Sequence, residues 1–142
     1  MQKMKYIFII VLICTLFCCK KYPDDERTIH IKSVKSRLVG HSWQISNEYN
    51  FVANKSVTIS FPYTIYFSAK GDFGGSIYPN LSADGKWEFT DHKNKLKITG
   101  SNGISTEYAI TRLDNYHDPE GSWLYIKDDS LTHYFHSHDK VK

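Results

Sequence analysis

Beyond residue 19 the chain has no cysteine: the three it contains are Cys14, Cys18 and Cys19. That absence excludes a disulfide-stapled scaffold, a thiol nucleophile and a Cys-x-x-Cys pair from the rest of the chain, whose stability must come from its core. Long apolar runs are missing too. The longest, Tyr6 to Phe17, has twelve residues, whereas a membrane-crossing helix needs about 20. Charge of one sign is equally scarce, because Lys3 and Lys5 precede Cys19 and no acid does, which leaves 16 basic residues against 15 acidic ones from Cys19 onward. A near-neutral chain argues against nucleic acid as its main partner, since nucleic acid is bound chiefly by excess Lys and Arg. There is no Gly-x-Ser-x-Gly elbow, His-Glu-x-x-His helix or Gly-x-x-x-x-Gly-Lys loop, so hydrolase, metalloprotease and nucleotide-binding readings lose their usual support. No catalytic residue, metal or cofactor is expected.

What is present starts with a leader. Met1 to Lys5 is short and basic, the apolar run follows, and Cys18-Cys19-Lys20-Lys21 ends it, which is the layout of a signal peptide over residues 1–18. Leu16-Phe17-Cys18-Cys19 resembles a bacterial lipobox, with an aliphatic residue three before the modified cysteine. The resemblance implies a lipid on Cys19, with Cys18 as the alternative acceptor, and hence a membrane partner held by acyl chains in a bacterial cell envelope, the outer membrane being the expected address with its face undecided. Residues 19–32, polar and carrying Pro23, read as the lipidated tether. Asp24-Asp25-Glu26 resembles the acidic export signals of Bacteroidetes-type surface lipoproteins, or is simply a solvated linker.

Residues 33–142 read as one all-β domain. Leu96 and Ile98 alternate with Lys95 and Lys97, the period of a strand with one buried and one wet face. Similar runs give eight strands, at 43–49, 57–67, 73–78, 86–89, 95–99, 104–113, 123–127 and 131–136. Turn signals separate them, among them Lys70-Gly71-Asp72, Gly100-Ser101-Asn102-Gly103 and Asp118-Pro119-Glu120-Gly121. Pro62 cannot donate to a central ladder and so marks an edge, a bulge or the true start of the second strand. Val34 and Leu38, spaced by four, suit a short helix closing one end. Short connections force antiparallel neighbours, and an antiparallel meander best removes its edges by closing into a monomeric barrel.

A family resemblance rests on these strands. Arg37-Leu38-Val39-Gly40-His41-Ser42-Trp43, Phe67 to Phe73, Gly85-Lys86-Trp87-Glu88-Phe89, Tyr108 to Leu113 and Trp123-Leu124-Tyr125-Ile126 occur in the order of the lipocalin-like domains of small Bacteroidetes-type lipoproteins. Two residues rather than one separate Gly40 from Trp43. The resemblance implies an eight-stranded calyx, usually without enzymatic activity.

Several clusters remain. His133, His136 and His138, with His117, form the densest polar group, but one strand aims only two of them the same way, and a solvated C-terminal strand is expected rather than a zinc site. Asp72, Asp84, Glu88, Asp91, Glu107 and Glu120 read as turn or wet-face acids. Asn54-Lys55-Ser56 and Asn80-Leu81-Ser82 match a glycosylation sequon that has no force in a bacterium. Most aromatics are expected in the core. Trp87 and Trp123, which begin strands after long connections, are the ligand-binding candidates, with rings expected near one rim. Two functions stay open: a barrel that takes a small apolar or glycan-like molecule at its mouth, and a filled barrel that serves as an interaction module of an envelope complex.

Overall fold

The computed structural model describes residues 21–24, 33–77, 84–115 and 121–137. Among these residues a helix α1 (Val34–Leu38) precedes nine strands: β1 (Ser42–Asn50), β2 (Lys55–Val57), β3 (Thr64–Phe67), β4 (Asp72–Gly74), β5 (Gly85–Thr90), β6 (Lys95–Gly100), β7 (Ser105–Asn115), β8 (Ser122–Lys127) and β9 (Leu131–Ser137). All neighbours are antiparallel, and β1 pairs with β9 to close the sheet. The result is an eight-stranded barrel, because β2 and β3 lie along the same edge of β1 as two pieces of one strand. The break between them contains Pro62, whose missing N–H suits an interruption of the ladder.

Alternation sends Trp43, Ile45, Ile65, Phe67, Leu96, Ile98, Tyr108, Leu124, Ile126 and Phe135 inward, where they pack as the core. The outer face carries cross-strand charge pairs instead, Lys86 with Asp72, Lys97 with Glu88 and Lys95 with Glu107. Two bulges reset the alternation. Ser46 is an extra residue of β1 and Thr111 an extra residue of β7, and each turns the side chains after it to the opposite face. Gly85, in register with Gly100, is required by packing, since a Cβ there would lie 2.1 Å from the Thr99 carbonyl oxygen.

The end where β1 begins is closed. The Ser33 hydroxyl caps α1 by accepting from the Ser36 N–H at 3.1 Å, and Leu38 is fully buried. Trp43 is buried and its Nε1 donates to the Leu38 carbonyl at 2.9 Å, so the indole fills the end and satisfies a helix-terminal carbonyl. Arg37 is buried beside them and donates to the Leu113 carbonyl.

Lys21–Asp24, part of the expected tether, docks on this same end. Tyr22 is 2 % exposed and belongs to the core. Its hydroxyl donates to the Lys93 carbonyl at 2.7 Å, Lys21 Nζ donates to the His92 carbonyl at 3.0 Å, and the Asp24 N–H to the Thr111 carbonyl at 2.8 Å. The β5–β6 turn so clamped has three successive residues, Asp91, His92 and Lys93, at positive φ without a glycine. Each such residue costs on the order of 1–2 kcal/mol, so the two carbonyl contacts hold a turn that local preference opposes. The remainder of the tether and the whole leader, Cys18 and Cys19 included, lie outside the described residues.

Candidate functional site

The opposite end is the mouth, formed by the β1–β2, β6–β7 and β8–β9 turns and by the 58–63 stretch between β2 and β3. Just inside it four polar side chains meet. The bulge at Ser46 brings Glu48 of β1 inward, where it is 4 % exposed. His133 of β9, between the inward Leu131 and Phe135, is 0 % exposed, and its Nδ1 lies 3.0 Å from Glu48 Oε1. The Tyr63 hydroxyl donates to that same oxygen at 2.6 Å, while His133 Nε2 lies 3.5 Å from Asp128 Oδ2 in the β8–β9 turn. Only a doubly protonated ring donates to both carboxylates. The ring of Tyr108 meets His133 edge-on at 5.9 Å, and burial together with the charge of Asp128 pushes its phenol well above the ordinary range.

Against Glu48 and Tyr63 of this group lies a cavity of about 460 Å³, lined also by Val57, Thr58, Ile59, Ser60, Phe61 and Ser76. Phe61 stands at its lip, 85 % exposed. A larger hollow of about 670 Å³ runs along the outer wall, but Lys95, Glu107, Lys127 and Asp129 line it. Such groups are well hydrated, and the Lys95–Glu107 pair there already spans 3.5 Å. The mouth is the better site for an apolar molecule because Val57, Ile59 and Phe61 give it apolar area beside the Glu48 carboxylate and the Thr58, Ser60 and Ser76 residues.

Asp128 links this site to pH. Burial pushes its carboxyl up, but the Ser130 and Leu131 backbone N–H groups and His133 outweigh burial and hold it below the usual carboxylate range. A lowered native pKa adds stability above the unfolded pKa of about 4, and that contribution disappears as pH falls through the native value. The urea midpoint should therefore fall from pH 5 towards pH 2.5, and less steeply in Asp128→Asn. Equal slopes in the two proteins would contradict the assignment.

The two tryptophans expected at one rim are not together. Trp87 points inward, packs edge-on against Phe67 and Phe89, and donates from Nε1 to the Ser68 carbonyl at 3.0 Å, beside the β3–β4 turn of the closed end. Trp123 points outward. Its ring stacks on His136 at 4.1 Å, with the Arg112 guanidinium 5.6 Å from its centroid, and Arg112 in turn donates to Asp114 at 2.8 Å and to the Tyr125 hydroxyl at 3.0 Å. Both rings are thus held by protein partners. β7 ends and β8 begins at the closed end, so Trp123 starts its strand there and away from the mouth.

The C-terminal histidines also need correction. The last strand is not frayed and solvated, because β9 is the strand that closes the barrel onto β1, with His133 in the interior. As alternation requires, His136 faces the other way; His117 and His138 lie outside the described residues.

Sequence reasoning missed Glu48 and Asp128. His133 carries a readable signal, a histidine between two inward apolar residues, but Glu48 carries none. Strict alternation from Trp43 and Ile45 assigns it to the outer face, and only the bulge reverses that. No family model matches the chain, and no curated protein matches it either. The geometry defines a class: a closed antiparallel eight-stranded barrel, plugged at one end and hollowed at the other.

Proposed function

We propose that the chain is a lipid-anchored, non-catalytic binding protein of the bacterial cell envelope, similar to the lipocalin-like lipoproteins, and that it takes a small apolar molecule at its mouth. The observation that carries the reading is the hollow of about 460 Å³ walled by Val57, Ile59 and Phe61. That wall suits an apolar molecule, with Thr58, Ser60 and Ser76 lining the same hollow beside it. The basic start, the apolar run and Leu16-Phe17-Cys18-Cys19 support the anchor. One residue separates Cys19 from the docked Lys21, a reach of about 7–8 Å at 3.8 Å per Cα step, so an anchored barrel sits with its plugged end against the lipid and its mouth away from it.

Titration with the apolar fluorophore N-phenyl-1-naphthylamine tests the mouth. Saturable one-to-one enhancement is expected, weakened tenfold or more by Phe61→Asp and left within about twofold by Trp123→Ala. The second reading, a filled barrel acting as an interaction module of an envelope complex, draws on the interior itself, where the rings of Trp43, Phe67, Phe73, Tyr108 and Phe135 are all buried. Absence of saturable fluorophore binding, with a protein partner co-purifying from the envelope, favours that reading.

A further inference from the structure

The polar group at the floor of the mouth specifies the head of the ligand. Resting on the reading that the mouth takes an apolar molecule, we infer that this molecule ends in a hydrogen-bond donor, a protonated amine above all, which Glu48 receives. The two oxygens of Glu48 are not equivalent. Oε1 accepts from Tyr63 at 2.6 Å and faces His133 Nδ1 at 3.0 Å, while Oε2 takes no hydrogen bond from any described residue. Glu48 nevertheless lines the hollow, and its side chain is only 5 % exposed. A carboxylate oxygen without a protein donor, on a side chain this enclosed, is left for solvent or a ligand in the hollow to satisfy, and a donor arriving with the ligand does so.

Charge selects the kind of donor. With the His133 ring doubly protonated, Glu48, His133 and Asp128 carry two negative charges and one positive; with it neutral they carry two negative charges. Either way the trio is net negative, so it repels a carboxylate or phosphate head and attracts an ammonium. A hydroxyl donates to Oε2 without compensating that charge and ranks between them. The apolar tail then lies along Val57, Ile59 and Phe61.

Octylamine, octanol and octanoate share a tail and differ in the head. Each is used to displace N-phenyl-1-naphthylamine from the chain Lys20–Lys142, which retains every core residue among those described. Octylamine is expected to displace the fluorophore at a concentration about tenfold below that of octanoate, with octanol between. Glu48→Gln should bring the three within about twofold of one another while leaving octanol nearly unchanged. Glu48→Asp, which keeps the charge, should retain the order with a smaller spread and decides the matter if the Gln variant does not fold. Octanoate displacing best, or the wild-type order persisting in Glu48→Gln, overturns the inference with apolar binding intact. A fluorophore that never binds saturably overturns the mouth reading itself, and this inference with it.

Discussion

Tyr22→Ala is expected to destabilise the barrel by about 3–5 kcal/mol, the usual cost of truncating a fully buried aromatic. The residue lies outside every strand, yet its ring is 2 % exposed within the core and its hydroxyl donates to the Lys93 carbonyl. Its loss removes apolar burial at the closed end and also a clamp on the positive-φ residues of the β5–β6 turn. For a domain of about 100 residues each kcal/mol moves Tm by roughly 4–8 °C, so a fall of 12 °C or more is expected. A chain begun at Thr28 should show the same deficit, because it too lacks Tyr22. Tyr22→Phe, which keeps the ring and drops the hydroxyl, should cost only about 1 kcal/mol. If Tyr22→Ala shifted Tm by less than 3 °C, the docked segment would be ornamental and the proposed orientation of an anchored barrel would lose its support.

Residues 20–27 look like a tether for a physical reason. A single tyrosine among Lys20, Lys21, Pro23 and Asp24 has no period, and without a period a sequence gives no sign that a ring is buried. The strands were legible because each has several alternating residues: Lys95 to Thr99 and Trp123 to Lys127 match β6 and β8 to within a residue at each end. Even the break at Pro62 was visible, through chemistry that allows no other placement in a ladder. Bulges left no such mark. Ser46 and Thr111 are ordinary strand residues, and the inward turn of Glu48 follows from a register shift that only the pairing of β1 with β9 reveals. The tryptophans misled for a related reason. Position after a long connection fixes which strand a ring begins, but the inward or outward sense of β5 and β8 fixes whether it enters the barrel.

The second large effect concerns the buried trio. His133→Leu should cost about 3–5 kcal/mol, because it removes the Nδ1 partner of Glu48 Oε1 and leaves a buried carboxylate facing an apolar side chain. Most of that cost belongs to the stranded carboxylate rather than to the lost contact. Glu48→Gln combined with His133→Leu should therefore be markedly less damaging than the sum of the two single changes, with a coupling of about 1–3 kcal/mol in urea denaturation. Strict additivity would mean that the 3.0 Å Glu48–His133 contact carries no energy of its own. The same trio holds Glu48 at the floor of the mouth, so stability and ligand choice meet in one carboxylate.

On the proposed reading the mouth, and neither the outer wall nor the barrel axis, takes the apolar molecule. A crystal structure of the chain Lys20–Lys142 grown with octylamine tests it most directly. The tail is expected against Val57, Ile59 and Phe61, with the nitrogen within hydrogen-bond distance of Glu48 Oε2. Octylamine lying against Trp123 and His136 on the outer face, with the mouth empty, would contradict it.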